Sequence, residues 1–598
     1  VLGEFTDSKR LELSMNGAAV GSLSLEFLHE GIPQRHLHAD VPERITVAAP
    51  LQRLEARDVD LELDLLNLLA HPNIRSKEAV IRRFDFEVKG GTRVRPLVGA
   101  AGHGPSDAAV LMPNPGASVK GIAVSNGLCP QFSHQPYAMA WAAIDEAVRN
   151  AVAVGADPDR VAILDNFCWG NPTIPDRLGG LLETSRGCYD AALIYGTPFV
   201  SGKDSLYNEY TDADGAKHAI PGTLLISAVG IVPDASKVVT MDFKRAGSLI
   251  YLLGETRAEL GASHYALLHN LEGGLVPQPV ANPLERYRAL HKAISSGLVA
   301  SCHDLSEGGL AVALSEMSLA GRFGADVNLE AVHEDATVAL FSESAGRLLL
   351  EVSLEHAASL EALFAGETLL ALGSVSADPI FTIQLGDDVI LETDIVALEL
   401  AWRGDLAPAP VPNVVSLTAG RTRGSPLRTN ASPRVLILHA NGSNRDHDAA
   451  LAVRLAGGDA KIVHINQLEA QPKLLEDHGA LILPGGFSYG DDLGAGVLWA
   501  LELRMRFGDA LQAFVSSGRP VLGICNGFQT LVKAGVLPGN VSPRKTTLTY
   551  NAGGHFECRW VTLDANSASK SFWLEGLEAG LDTPVAHGEG RFMCDEAT

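Results

Sequence analysis

The sequence has no apolar run near the roughly 18 residues that a membrane span requires, and its first residues lack a basic segment followed by an apolar one. Neither an anchor nor a secretion signal is visible, so no membrane partner is expected. Basic side chains are scarce: 47 Lys and Arg stand against 71 Asp and Glu, for a formal charge of −24. A field of that sign repels phosphate backbones and anionic lipid surfaces, which argues against a nucleic-acid partner while leaving room for local basic pockets. Cysteine is sparse too. The seven, Cys129, Cys168, Cys188, Cys302, Cys525, Cys558 and Cys594, are odd in number, far apart and never at paired metal-ligand spacing, which fits a reduced cytoplasm. No short tandem repeat marks a solenoid. There is no initiator Met, and the chain opens inside a strand pattern, Leu11 to Leu13 and then Ala18 to Leu25, so it is expected to be a fragment.

What is present suits packed α/β domains. Of 598 residues 46% are hydrophobic and 20% charged, with 60 Gly and 31 Pro. That profile excludes a disordered or fibrous protein and predicts about three to five domains. The clearest boundary is Arg403 to Arg434, rich in Ala, Pro, Ser, Thr, Gly and Arg and free of apolar periodicity. Upstream, Leu61 to Val80 has helical spacing with a stop near His71-Pro72-Asn73, and an alternating stretch covers Ile81 to Val94. A strand at Gly121 to Val124, a long helix at about Tyr137 to Val154 and a strand at Val161 to Leu164 follow. A second unit opens near Ser248 with the strand Leu249 to Leu253 and carries helices around Ala262 to His269 and Asn282 to Ser296. Beyond the boundary, strands at Arg434 to His439, Ala480 to Leu483 and Pro520 to Ile524 alternate with helices at Asp448 to Ala456 and Leu498 to Ser516, a doubly wound order.

The sharpest local constellation is Gly523-Ile524-Cys525-Asn526-Gly527, between an apolar strand and the helical segment Phe528 to Lys533. Small residues flank the Cys because a tight strand-to-helix turn leaves no room for Cβ atoms. The turn presents the thiol at a helix N-terminus, where the dipole favours thiolate. The loop Pro484-Gly485-Gly486-Phe487-Ser488-Tyr489-Gly490-Asp491 follows a neighbouring strand, so its Gly amides are expected to face the same crevice as an oxyanion hole. A lone Cys is more often a buried small residue, and that reading is kept for Cys129, Cys188, Cys302 and Cys594. A nucleophilic Cys also needs a base oriented by a carboxylate. Of His555-Phe556-Glu557 and His587-Gly588-Glu589, the second is the better candidate from sequence alone.

Upstream, Glu146 and Asn150 lie four apart on the long helix and share one face, where they can hold one Mg²⁺ through oxygen. Such a pair is usually a solvated helix face. Three acidic loops strengthen the metal reading: Gly104-Pro105-Ser106-Asp107, Gly202-Lys203-Asp204-Ser205, and His303-Asp304-Leu305-Ser306-Glu307-Gly308-Gly309. The last leads into a helix at Leu310 to Ala320, whose N-terminal amides can take a phosphate.

Taken together, these motifs resemble the phosphoribosylformylglycinamidine synthase family in its long single-chain form. Gly485 to Ala495, Leu522 to Gln529, Asn551, Phe556 to Trp560 and Ala586 to Phe592 are similar to its class I glutamine amidotransferase domain. Gly442-Ser443-Asn444 with Asp448 resembles the family's Gly-x-Asn plus acidic residue, with Asp where Glu is usual. Ile81 to Asp85 with Val88-Lys89-Gly90, Asp145 to Gly155, Asp165 to Pro172 and Ser201 to Asn208 resemble its synthetase part. The resemblance implies aminoimidazole ribonucleotide synthetase-like domains, α/β and α+β, followed by a doubly wound amidotransferase domain. It divides the chain into a remnant of the first synthetase half (1–50), a nucleotide and Mg²⁺ domain (60–240), a synthetase-like C-terminal domain (245–402), a linker (403–433) and an incomplete amidotransferase domain (434–598).

By the same resemblance Cys525 attacks glutamine, forms a glutamyl thioester and releases ammonia, with Gly485, Gly486, Phe487 and Asn526 shaping the oxyanion and glutamine pocket. Asp107, Glu146, Asn150 and Asp304 match Mg²⁺ ligands, Ser106, Lys203 and Ser306 fall where nucleotide contacts are expected, and Asp204 is assigned only loosely near the phosphates. The family's triad His and Glu lie in a later His-Pro-Glu segment, past Thr598, which leaves His587 and Glu589 to shape the pocket or an interface. The implied reaction belongs to de novo purine biosynthesis: formylglycinamide ribonucleotide, glutamine, ATP and water give the amidine, glutamate, ADP and phosphate, with Mg²⁺ offsetting phosphate charge. The nucleotide of the second synthetase half is regarded in the family as auxiliary, so ATP or ADP here is expected to be structural. Two other readings stay open, a non-catalytic nucleotide-binding assembly module and another glutamine amidotransferase fusion; the upstream matches count against the latter.

Overall fold

The computed structural model describes residues 2–54, 59–87, 90–404, 432–539, 545–564, 571, 573 and 580–596. The expected linker at 403–433 lies almost wholly outside the described residues, as do Val88 and Lys89. The N-terminal strand pattern forms a hairpin, Arg10–Met15 against Ala18–Ser24, whose first strand is exposed throughout. Helix Leu61–Ala70 stops at His71 as the His-Pro-Asn signal predicts. The alternating stretch from Ile81 does not form a long strand: the short helix Glu78–Ile81 runs into it, and among the described residues its pairing begins at Thr92–Val94.

A six-stranded sheet runs in the order Thr92–Val94, Ala109–Leu111, Gly121–Leu128, Thr223–Val232, Val161–Cys168, Phe199–Ser205. Helix Pro136–Ala153 links two strands that point the same way, but Thr223–Val232 inserts between them and pairs antiparallel with both. Alternation of helix and strand therefore yields a split unit here, with parallel pairing only at the edge between Val161–Cys168 and Phe199–Ser205. The strand predicted to end at Leu164 continues to Cys168 because Asp165 and Asn166 stay in register with Ile226 and Leu225.

Helix Pro136–Ala153 is Ala-rich and buried on nearly every side, so it must be covered all round. Its neighbours are the sheet, helix Pro175–Tyr195, helix Pro283–Ser295 and strand Ser301–Asp304. It lies so close to the sheet that a Cβ on Gly127 would sit 2.0 Å from the Ala143 carbonyl oxygen. The second sheet has seven strands, Ser301–Asp304, Leu348–Val352, Leu249–Leu253, Leu369–Ser376, Gly324–Asn328, Ile380–Leu385 and Asp388–Asp394, with one parallel pair, Gly324–Asn328 with Ile380–Leu385. Two hydrophobic clusters each draw on both sheets, so this helix and its surroundings form a shared wall rather than two separate cores.

The downstream sheet is fully parallel, in the order Asp459–His464, Arg434–His439, Ala480–Leu483, Val521–Gly523. Strand alternation sends Val435 and Ile437 to one face, against helix Asp446–Leu455, and Leu436 and Leu438 to the other, against helix Val497–Ser516. This is the doubly wound arrangement, and it brings the loop after Ala480–Leu483 beside the turn after Val521–Gly523. Among the described residues no helix is long and apolar enough to cross a membrane.

Candidate active sites

The shared wall carries an acidic cleft lined by Ser106, Asp107, Glu146, Asn150, Asp304 and Ser306, with His303, Glu307, Gly309 and Glu316 among its other lining residues. Four elements meet there: the loop before Ala109–Leu111, helix Pro136–Ala153, strand Ser301–Asp304 and the start of helix Gly309–Gly321. Glu146 accepts from the Leu128 amide at 2.9 Å and from Ser306 Oγ at 3.3 Å. Asp304 Oδ2 accepts from Arg149 Nη2 at 3.0 Å and Ser306 Oγ at 2.6 Å. Asp107 Oδ1 accepts from the Asp304 amide at 2.9 Å and lies 2.9 Å from His303 Nδ1. Asn150 Nδ2 donates to the Asn126 carbonyl at 3.2 Å.

Two oxygens are left over. Asp107 Oδ2 and Asn150 Oδ1 are buried, and neither has a hydrogen-bond partner among the described residues. Buried acceptors of this kind need a partner. Burial pushes the Asp107 carboxyl up, with His303 opposing; burial, then Glu307 and Asp304, push Glu146 well above the usual range. Asp304 is held below that range, the upward push of burial being outweighed by Arg149 and His303. Burial also brings Glu307 up to about 7, with Glu343 adding and His264 opposing. Crowded acids with raised pKa values and two orphaned oxygens form an oxygen-only donor set of the sort a hard divalent cation takes.

The cleft thus gathers Ser106, Asp107, Glu146, Asn150, Asp304 and Ser306, all named from sequence, although Ser106 Oγ is turned to the Ala108 carbonyl at 2.9 Å. Lys203 is not brought to it. It sits on the exposed edge strand Phe199–Ser205 and donates to Ser205 Oγ at 2.8 Å, four strand positions from Ala109–Leu111 in the sheet order. Asp204 lies on the same strand and does not line the cleft. Sequence reading missed Arg149, which binds Asp145, Asp304, the Leu305 carbonyl (3.2 Å) and Ser306 Oγ (3.0 Å). Its i,i+4 spacing from Asp145 was a legible signal. Asp145 in turn accepts from Tyr195, Tyr287 and the Gly346 amide, anchoring the helix between the two sheets.

In the downstream domain Cys525 adopts φ 52° and ψ −115°, a backbone shape that a non-Gly residue tolerates only when its surroundings enforce it. The enforcing contact is helix Asn526–Lys533 against strand Ala480–Leu483: a Cβ on Gly527 would lie 2.0 Å from the Leu483 carbonyl oxygen. The Asn526 and Gly486 backbone amides act on the thiol as donors that favour its thiolate, the kind of group an oxyanion hole uses. Gly486 is pinned by a bridge to Ser443, and the Phe487 amide donates to the Gly442 carbonyl at 3.0 Å, so the Gly442-Ser443-Asn444 motif buttresses this loop. The Asn526 side chain ties loop to elbow: Oδ1 accepts from the Ser488 amide (3.1 Å) and Oγ (2.6 Å), and Nδ2 donates to Asp491 Oδ1 at 2.9 Å. Gly485 packs against Cys525 and Phe487 is exposed.

Desolvation pushes the Cys525 thiol above its ordinary value; the Asn526 and Gly486 amides at the helix start oppose the push, and Asp491 and Asp85 add to it. Among the described residues no imidazole is hydrogen-bonded to it. His587 Nδ1 faces Asn551 Oδ1 at 3.0 Å and His555 Nδ1 faces the Phe556 carbonyl at 3.0 Å. Glu589 accepts from the Ala495 amide (3.1 Å) and Lys533 Nζ (3.0 Å). The influence of Asp85 shows that the upstream part reaches this site. There the Cys558 amide donates to the Arg82 carbonyl at 2.8 Å, Trp560 Nε1 to Glu87 at 2.7 Å, and the Arg95 guanidinium lies 4.3 Å from the Trp560 ring centroid.

Residues 105–232 match the AIR synthase related protein, N-terminal domain, residues 245–386 its C-terminal domain, and residues 432–598 the CobB/CobQ-like glutamine amidotransferase domain. The curated phosphoribosylformylglycinamidine synthase subunit PurQ of Treponema denticola is 50% identical over 175 residues, 27% of this chain and 64% of that protein. Subunit PurL of Deinococcus radiodurans is 36% identical over 426 residues, 68% of this chain and 54% of that protein. In its two parts the chain is thus similar to phosphoribosylformylglycinamidine synthase subunits, and it carries AIR synthase related and CobB/CobQ-like glutamine amidotransferase domains. It joins the synthetase and amidotransferase parts that these relatives carry as differently named subunits, and it spans about half the length of the PurL relatives, 53% in the case of Alkaliphilus metalliredigens at 34% identity. The solved structure of T. maritima PurL complexed with FGAR gives a TM-score of 0.46 at 19% identity, covering 59% of this chain and 56% of that one.

Proposed function

We propose that this chain serves the ATP- and glutamine-dependent conversion of formylglycinamide ribonucleotide to formylglycinamidine ribonucleotide, with Cys525 releasing ammonia from glutamine. The observation that carries the reading is the elbow at Cys525, with two backbone amides directed at its thiol, in a chain that also holds an AIR synthase related acidic cleft. The Cys525 thiol loses its proton as sulfur attacks the carboxamide carbon, the Asn526 and Gly486 amides take the developing oxyanion, and as the C–N bond breaks the nitrogen takes up that proton and leaves as ammonia, with the thioester then hydrolysed by water to glutamate. Gly485 and Phe487 border the glutamine pocket.

In the cleft, Asp107, Glu146, Asn150 and Asp304 would hold Mg²⁺, which would offset the charge of ATP or ADP phosphates. Ser106, Ser306 and the start of helix Gly309–Gly321 sit where a phosphate can be received. We assign the division 60–240, 245–402 and 434–598 to nucleotide domain, synthetase-like C-terminal domain and amidotransferase domain, and a cytoplasmic setting in line with free thiols at all seven cysteines. A nucleotide that is held without turnover suits a site whose carboxylates are fixed in place: Arg149 and Ser306 hold Asp304 Oδ2, and His303 faces Asp107 Oδ1.

Ammonia release from glutamine by this chain, measured beside Cys525→Ala, tests the thiol. We expect slow turnover, since among the described residues no imidazole is hydrogen-bonded to the thiol, and complete loss in the variant. Turnover that survives the substitution, or none above the uncatalysed rate, counts against the reading. Nucleotide retained through purification should be released by Glu146→Ala with Asn150→Ala; unchanged binding defeats the cleft assignment.

A further inference from the structure

The cleft contains a histidine that sequence reading did not assign. His303 is buried between two carboxylates: Nδ1 lies 2.9 Å from Asp107 Oδ1 and Nε2 lies 3.0 Å from Glu316 Oε2. Asp107, His303 and Asp304 offer atoms within 4.8 Å of one another, so the ring could be taken as a metal ligand itself. The hydrogen bonds argue otherwise. A ligating imidazole must present a bare nitrogen to the ion, and both nitrogens of His303 already face carboxylate oxygens, an arrangement that the doubly protonated ring satisfies with two N–H donors. The same bonds divide the work of Asp107. Its Oδ1 is doubly satisfied by His303 and the Asp304 amide, while Oδ2, buried and without a partner, is left to the cleft.

We propose that His303 and Glu316 are positioning residues for the cation site: Glu316, on helix Gly309–Gly321, fixes the His303 ring, and the ring fixes the Asp107 carboxylate so that one oxygen is withdrawn and the other is presented to the ion. The proposal rests on the cation reading of the cleft. It gives the helix start a second task, because the element that carries the phosphate-facing turn also sets a carboxylate 209 positions upstream of Glu316 through a single imidazole. Outer partners of this kind commonly change metal affinity by about 10–100-fold when removed.

The test uses Mn²⁺ with ADP on the whole chain. Electron paramagnetic resonance of free Mn²⁺ gives the affinity, and electron spin echo modulation reports any directly bound nitrogen, assigned with histidine labelled with ¹⁵N in the ring. We expect Glu316→Ala to weaken Mn²⁺ about tenfold and Glu316→Gln, which keeps an acceptor for Nε2–H, to remain close to wild type. We expect no histidine nitrogen on the metal in the unsubstituted chain. Ala is the best helix former and Glu316 lies in a helix, so folding should survive, with thermal melting as the check. Wild-type Mn²⁺ affinity in Glu316→Ala overturns the proposal and leaves the cation reading standing. A modulation that responds to the ring label overturns it without any variant, since His303 would then be a ligand. Failure of the unsubstituted chain to bind Mn²⁺ removes the cation reading and this proposal with it.

Discussion

Arg149 should be among the costliest residues of the upstream part to replace. Its side chain is 3% exposed and lies between Asp145, 2% exposed, and Asp304, 9% exposed. Arg149→Met keeps an unbranched stem and removes every donor, so both carboxylates lose their buried cation. Breaking a buried pair in this way costs about 3–5 kcal/mol. Asp145 keeps Tyr195, Tyr287 and the Gly346 amide, and Asp304 keeps Ser306, so the lower end, about 3 kcal/mol, is expected. Adding Asp145→Asn neutralises one stranded charge, and the double variant should recover about 1–2 kcal/mol relative to the single one. Urea unfolding followed by tryptophan fluorescence reads this directly, because Trp141 and Trp169 are buried in the same cluster. A single variant within about 1 kcal/mol of wild type, or a double variant less stable than the single, would show that the Arg149 network is not what compensates these acids.

Three further outcomes follow from the same geometry. Glu307 has a folded pKa of about 7 against an ordinary 4.5; between those values the folded chain holds a proton that the unfolded chain has lost. Stability should therefore fall as pH rises through that window and level off above it. Asp107 and Glu146, also raised, add to that fall, so Glu307→Gln should reduce the slope without abolishing it and be more stable above pH 7 by on the order of 3 kcal/mol, measured by denaturation at stepped pH. Gly127→Ala places a Cβ against the Ala143 carbonyl and should cost about 1–3 kcal/mol. It should also weaken Mn²⁺ binding, because Glu146 and Asn150 ride on the displaced helix; a thermal melt and a Mn²⁺ titration check both. Alkylation of Cys525 should keep rising with pH past the ordinary thiol range, since desolvation disfavours the thiolate; a rate that levels off below pH 8 would contradict the thiol environment described.

The parts of this account that were legible in the sequence are those in which the backbone dictates the residue. A strand-to-helix turn demands small neighbours, so Gly523 and Gly527 marked Cys525, and the Leu483 contact explains why. Glu146 and Asn150 were legible as a pair because helical periodicity is local, yet their enclosure was not, since it depends on strand Gly121–Leu128 and the loop at Ser306 closing over them. Lys203 shows the reverse error: a motif beside acidic residues looked phosphate-facing, but its strand took the sheet edge. The antiparallel pairing of Gly121–Leu128 and Val161–Cys168 with Thr223–Val232 was not legible, because the insertion of that strand between two like-directed ones leaves no local trace. His303 and Arg149 acquire their roles from partners more than 150 positions away, Asp107 and Asp304, and pairings across that separation are not written in spacing.

The most direct test of the central claim is covalent capture at the thiol. An electrophilic glutamine analogue carrying a diazoketone, incubated with the chain near pH 9 and followed by peptide mass spectrometry, should leave one adduct, on Cys525, and added glutamine should suppress it. Labelling that falls on Cys594 or elsewhere, or that glutamine does not prevent, would contradict a glutamine site at this elbow.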